Sequence, residues 1–301
     1  MPQTTPVRQS LILNLAPTGM VPTRRMSPHV PLQPNEIVSD VLAAAEIGVT
    51  IVHLHARDED GEPTHRREVY ARIIGGIRDV RPDLVICVSC SGRRAQRPED
   101  RADVLGLSGD LKPDMASLTL SSLNFPRQAS INAPDTIAYL AKEMLDRGII
   151  PEIEIFDLGM ANVLHYLQDK GLVTRPAYAN LLFGNVATAQ ADFLEIGAVV
   201  SRLPVGTTWS LAGIGASQLP VAAMAAAAAP GVRIGLEDNL WLDAGRTRLA
   251  RNVELVERVH ALAALVDRPV MPSNDLRAAL QIPAPGERRL LVEQPGGPGG
   301  R

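Results

Sequence analysis

Cysteine is scarce: the 301 residues hold two, Cys87 and Cys90. Their C-x-x-C spacing is that of a redox pair or half a zinc site. They fall, however, inside VICVSCS, which reads as a strand, and an offset of three sends their side chains to opposite faces. They read as two unremarkable small thiols. No apolar run reaches the roughly 20 residues that span a bilayer, and MPQTTPVRQS lacks the apolar core of a signal peptide, so cytoplasmic residence is the expectation. Charge is short on both sides of balance: 30 Lys and Arg against 33 Asp and Glu leave a net charge of -3, with no global attraction to nucleic acid or anionic lipid. Absent too is the G-x-G-x-x-G turn of an open, doubly wound dinucleotide-binding sheet; the segment after the first apolar run reads APTGMVPTRR.

What is present is a large apolar fraction, 46%, with 21% charged residues, ample for one sizeable core with a solvated surface. Short β-branched runs alternate with helical patterns. Strands are predicted at 11–17, 51–55, 84–89, 115–120, 150–156, 178–184, 207–213 and 232–238. Helices are predicted at 36–47, within 66–80, near 98–107, at 134–147 with Gly148 as its stop, and at about 160–169 closed by Gly171. The alanine run after Met224 reads as helix seven. Eight β-to-α alternations imply parallel strands with right-handed crossovers, and closure removes both sheet edges. The predicted fold is therefore α/β, a (β/α)8 TIM barrel formed by residues 1–285 as a single domain. The N-terminus and the Gly/Pro-rich tail at 286–301 carry no periodicity and are expected to be mobile.

The chemistry begins at His53 and His55, which alternate with Leu54 and so share one face at the carboxyl end of strand two, the active-site end of a barrel. Two neutral imidazoles can fill adjacent corners of a zinc tetrahedron, but H-x-H by itself also fits two structural histidines. A third ligand is expected from RIGLEDN, where alternation puts Arg233, Gly235 and Glu237 on one face of strand eight. Strands two and eight flank strand one, so Glu237 is predicted to join His53 and His55 in a His2Glu site with an open fourth position. Asp238 follows where the strand ends. Arg233 could hold it ionised and orient it as a general base. A capping aspartate with a structural ion pair is the plainer reading of those two.

Other polar side chains end other strands: Ser89 on strand three, Ser117 and Thr119 on strand four, Glu152 and Glu154 on strand five. Such groups are expensive in a core and natural in a site, although backbone hydrogen bonding would account for the hydroxyls alone. Arg24, Arg25, Arg93 and Arg94 lie on neighbouring loops, where solvated charge is the plain reading. His65 reads as a loop residue, and His29, His165 and His260 show no clustering.

In order along nearly the whole chain, NLAPTGMVPT, VHLHARDEDGEPTH, KPDMASLTLSSLNF, PEIEIFDLGM, WSLAGIG and RIGLEDN resemble the β-keto acid cleavage enzymes. That resemblance implies a zinc-dependent acyl exchange in which a β-keto acid and acetyl-CoA become acetoacetate and a new acyl-CoA. It implies zinc on His53, His55 and Glu237. It also implies Ser89, Ser117, Glu154, Arg233 and Asp238 around the reacting groups, and a homo-oligomer, a tetramer. From their positions at the mouth, Ser117, Thr119, Asn124 and Val21 are expected to contact the substrate. Where the branch acting on an amino-substituted keto acid has an acidic residue to meet the amine, this chain has Val21, which disfavours a free-amine substrate. Met20 and Val21 would suit an apolar tail, and the loop arginines a second carboxylate or the phosphates of CoA. Two rivals remain at this stage. One is a metal-dependent barrel hydrolase, which would be expected to carry H-x-H on strand one and further histidines on strands five and six. The other is a non-catalytic metal-binding barrel, against which the spare polar set speaks.

Overall fold

The computed structural model describes residues 10–94 and 97–284; the N-terminal stretch and the tail beyond 285 considered above lie outside the described residues. Eight parallel strands close into a barrel: β1 (Ile12–Leu15), β2 (Ile51–Leu54), β3 (Val85–Val88), β4 (Met115–Thr119), β5 (Ile150–Ile155), β6 (Ala177–Phe183), β7 (Thr207–Gly213) and β8 (Gly231–Ile234). Each pairs with its neighbours in sequence, and β8 pairs with β1 through Asn14 opposite Arg233. The predicted (β/α)8 barrel is thus the observed fold.

Helices follow the strands: α1 (Pro34–Ile47), α2 (Arg67–Arg78), α3 (Pro98–Ala102), α4 (Pro134–Asp146), α5 (Leu158–Asp169), α6 (Phe193–Ser201), α7 (Gln218–Ala228), α8 (Asn252–Ala264) and α9 (Ser273–Leu280). Their ends are set by local chemistry. Proline opens α1, α3 and α4, where its missing N–H is no loss. Asp157 and Asp192 accept hydrogen bonds from Met160 N at 3.0 Å and Glu195 N at 2.9 Å and cap α5 and α6. The third helix is shorter than the 98–107 predicted, because the chain tightens to a 3-10 turn at Asp103–Gly106. None of the described helices is long and apolar enough to cross a membrane.

Strand alternation builds the barrel interior in layers. At the bottom Ile12, Ile51, Val85, Cys87, Met115 and Tyr178 pack with Leu276 and Leu280 of α9, which plugs the amino-terminal end. One alternation step higher the interior turns polar, with Asn14, His53, Glu152, Asn180, Ser210 and Arg233 all buried. Buried polar groups survive when they satisfy one another. Here Asn14 Nδ2 donates to Glu152 Oε1 at 2.7 Å, and the Tyr178 and Ser210 hydroxyls bond at 2.7 Å. This layer is the floor of the site.

Candidate active site

His53 ends the interior face of β2 and His55 stands one residue beyond the strand. Their Nε2 atoms are 3.2 Å apart, and His55 Nε2 lies 3.2 Å from Glu237 Oε1, with His53 Nε2 4.0 Å from Glu237 Oε2. Glu237 arrives by a route that simple alternation does not describe. β8 stops at Ile234, short of the 232–238 expected, and Gly235 takes φ 144°. A side chain at Gly235 would meet Ala16 O at 2.0 Å. The chain then turns, with Glu237 N–H donating to Ala16 O at 3.2 Å and Leu236 N–H to Asn252 Oδ1 at 3.0 Å. The turn, rather than the strand, directs Glu237 toward the histidines and Asp238 toward Arg233.

His53, His55 and Glu237 together form a group whose donor atoms could hold one metal ion. The arrangement fits a cation on two further counts. Two nitrogens each about 2.0–2.1 Å from a tetrahedral zinc stand roughly 3.3 Å apart, close to the separation of the imidazoles. Glu237 Oε2 is buried without a hydrogen-bond partner, an exception that calls for a reason. Behind His53, Glu152 Oε2 takes Nδ1 at 2.5 Å, which leaves Nε2 for the site. Burial opposes the Glu152 charge, but His53, Arg233 and Asn14 outweigh it and bring the carboxyl down to about 2. Burial drives His55 to about 4 despite Glu237, leaving it neutral and able to ligate. Cys87, read above as inert, donates its thiol to Glu152 at 3.3 Å, and burial raises it well above the ordinary thiol value. Cys90 packs in the outer core as a second free thiol.

The buried Arg233 guanidinium joins three carboxylates. Nε and Nη2 donate to the two Asp238 oxygens at 3.0 and 3.2 Å, Nη2 also reaches Glu237 Oε1 at 3.0 Å, and Nη1 stands 3.6 Å from Glu154 Oε1. Burial lifts the Asp238 carboxyl above its usual value; Arg233 pulls against that lift and Glu237 adds to it. Full ionisation by Arg233, the sequence expectation, is therefore moderated by burial. Glu154, also raised by burial, accepts from Thr119 Oγ1 at 2.6 Å.

A cleft of about 500 Å³ opens over these groups and is lined by His55, Ser89, Thr119, Glu154, Arg233, Glu237 and Asp238. Val21 and Met20 line it as well, together with Arg93 and Arg94. Two expected contacts are elsewhere. Ser117 Oγ accepts from Cys90 N–H at 3.0 Å and so fastens the loop after β3, the plain reading of that hydroxyl. Asn124 is exposed on a ribbon pairing Leu123–Asn124 with Ala129–Ser130, while its neighbours Leu123 and Phe125 line the cleft. Arg24 pairs with Glu36 outside the cleft at 2.6 Å, and Arg25 is exposed away from it. His65 is buried with Nε2 unpartnered, near enough to His55 to feel its charge. His165 and His260 hydrogen-bond the carbonyls of Arg202 and Gly48.

Sequence reading missed Arg57, whose Nη2 donates to Gly19 O at 2.6 Å and Pro22 O at 3.0 Å, holding the loop after β1 against Glu237. It also missed the role of Asn14 and Asn180, although an amide amid apolar strand residues, as in ILNL and YANL, is a visible signal.

Fold and site together define a (β/α)8-barrel enzyme with a candidate His/Glu metal cluster at the carboxyl end of its strands. More particularly, the chain belongs to the β-keto acid cleavage enzyme family, whose pattern it matches over residues 10–282. It is 37% identical to a 3-oxoadipate:acetyl-CoA acetyltransferase of Cupriavidus necator over 92% of this chain and 96% of that one. It is 33% identical to a 3-keto-5-aminohexanoate cleavage enzyme of Fusobacterium nucleatum over 91% of this chain and 98% of that one. Among solved structures, the apo form of ObcA superimposes with a TM-score of 0.74 at 20% identity, covering 85% of this chain and 66% of that one. That last likeness concerns the fold alone.

Proposed function

We propose that the protein exchanges acyl groups between a β-keto acid and acetyl-CoA, giving acetoacetate and a new acyl-CoA, with zinc held by His53, His55 and Glu237. The observation that carries the reading is the junction of that donor set with Arg233-bound Asp238 in one cleft, in a chain whose relatives are named for such exchanges. Two imidazoles and a carboxylate are a donor set suited to zinc. When bound, the ion supplies Lewis acidity for the ketone and carboxylate oxygens of the substrate.

Asp238, fixed by two hydrogen bonds from Arg233, takes the proton from the α-carbon; its raised carboxyl makes it a better base than an exposed aspartate once ionised. The carbanion forms a bond to the acetyl-CoA carbonyl, CoA leaves that carbon as thiolate and adds to the distal keto carbon, the original bond between the α-carbon and that keto carbon breaks, and the carbanion so released takes the proton back from Asp238. Acetoacetate and the new thioester account for every atom. Ser89 Oγ accepts from Ser91 N–H at 3.2 Å, so its own hydrogen remains available to a developing oxyanion. Ser117 acts by holding that loop rather than by touching substrate. Thr119 orients Glu154 toward the reacting groups. Val21, in place of an acidic residue, supports a substrate without an amine. The homo-oligomer implied by resemblance finds support in Phe193, Leu194 and Val205, large apolar side chains left exposed.

The test is to measure bound metal, then incubate the protein with acetyl-CoA and a panel of β-keto acids, following acetoacetate and new thioesters. Exchange dependent on the metal supports the reading. No exchange across a broad panel contradicts it.

A further inference from the structure

The Arg93 guanidinium lies over the Phe125 ring, 3.5 Å from its centroid. Phe125 in turn meets Phe156 edge to face, with centroids 5.8 Å apart and planes at 87°, and Phe156 directly follows β5. A cation from the loop after β3 is thereby anchored to the barrel wall through two aromatic rings. All three residues line the cleft.

Stacking uses the face of a guanidinium and leaves its N–H donors free around the edge, the geometry that receives a carboxylate or phosphate through two bonds. Among the described residues that side chain has no hydrogen-bond or ion-pair partner; the hydrogen bond recorded for Arg93 is from its backbone N–H to Ser91 Oγ at 3.5 Å. The other cationic residues nearby are committed or loose: Arg94 pairs with Glu62 at 2.5 Å, Arg233 is taken by Asp238 and Glu237, and Arg127 is exposed on the ribbon. Burial pulls the Arg93 pKa down, a penalty that the cleft carboxylates Glu237, Glu154 and Asp238 only partly offset. A fixed cation so placed gains most from an anion that reaches it directly. The same cleft carries the apolar side chains of Met20, Val21, Met26 and Leu123, a lining suited to a methylene chain.

We infer that Arg93 receives the far end of the substrate, and that the preferred substrates are β-keto acids bearing a second, terminal carboxylate. This rests on the acyl-exchange reading for the near end of the substrate. The same donors would fit a phosphate of CoA, so the experiment separates the two anions.

Full-length, metal-loaded enzyme is assayed with acetyl-CoA and either 3-oxoadipate or 3-oxohexanoate, which share a six-carbon chain and differ in the terminal carboxylate. For the wild type kcat/KM favours the diacid. In Arg93→Met the diacid-to-monoacid ratio falls about 10- to 100-fold, the range of a lost charge-assisted pair, KM for acetyl-CoA does not move, and Arg93→Lys restores part of the ratio. An unchanged ratio overturns the inference, as does a raised KM for acetyl-CoA with both acids affected alike, which assigns Arg93 to a phosphate. If the wild type exchanges other β-keto acids of the panel but neither of these two, the inference is overturned while the acyl-exchange reading stands; if it exchanges none of the panel, the acyl-exchange reading fails by itself. Calorimetric titration of 3-oxoadipate then decides the subsite: heat in the wild type that Arg93→Met loses upholds it, and equal heat in both or none in the wild type overturns it.

Discussion

His53 Nδ1 stands 2.5 Å from Glu152 Oε2, joining β2 to β5 across the barrel interior. Through this contact the buried floor sets which imidazole nitrogen faces the cleft. Outer partners of this kind orient metal-binding histidines, and their loss typically lowers metal affinity about 10- to 100-fold. Glu152→Gln is expected to weaken metal binding by that order, read by competition with a chromophoric chelator. Unchanged affinity would show that His53 is oriented by packing alone.

Gly19 has φ 71°, and a side chain there would meet Glu237 Cγ at 2.6 Å. Gly19→Ala is therefore expected to displace the Glu237 carboxylate while straining the loop by about 1 kcal/mol. Chelator competition should show at least tenfold weaker metal binding, an order consistent with disturbing one first ligand, with circular dichroism unaltered. Retained affinity would mean that the loop yields and Glu237 does not.

Much of this was legible in the sequence because strand alternation is a strict geometric rule. Eight runs predicted eight strands, and H-x-H predicted two imidazoles on one face. Glu237 was found by extending that rule past Ile234, where the strand has already ended; the rule reached the right residue because the Gly235 turn returns the carboxylates to the mouth. What stayed hidden depended on closure. The Glu152–His53 contact spans 99 residues, and no local pattern links them. Ser117 and Asn124 were assigned by position, yet a hydroxyl can bond to a loop N–H, and the ribbon holding Asn124 was not foreseen. The Arg93–Phe125 stack rests on that same ribbon.

Asp40 lies away from the cleft and accepts from Asn252 Nδ2 at 2.6 Å, while Asn252 also supports Leu236 of the Gly235 turn. Burial pushes the Asp40 carboxyl from 3.8 up to about 6, against the pull of Asn252 and Arg251. An acid raised on folding binds its proton more tightly in the folded state. Its contribution to stability is full below about pH 4 and is lost as pH rises through about 6. Denaturant titrations from pH 4 to 7 should show the wild type losing up to about 2 kcal/mol relative to Asp40→Asn, a figure reduced for partial exposure. A constant difference across that range would refute the assignment.

Asp238→Asn keeps hydrogen-bonding capacity toward Arg233 but removes the proposed base. Metal content should remain, and kcat should fall about 100- to 10,000-fold, the usual share of general-base catalysis. Loss of metal together with turnover would place Asp238 among the structural supports of Glu237.

The most direct measurement follows the acetyl group itself. With acetyl-CoA labelled in its acetyl carbons and an unlabelled β-keto acid, metal-loaded enzyme should place the label in acetoacetate and release an unlabelled acyl-CoA in equal amount. Labelled acetate with free CoA thiol, and no labelled acetoacetate, would contradict acyl exchange and mark the site as hydrolytic.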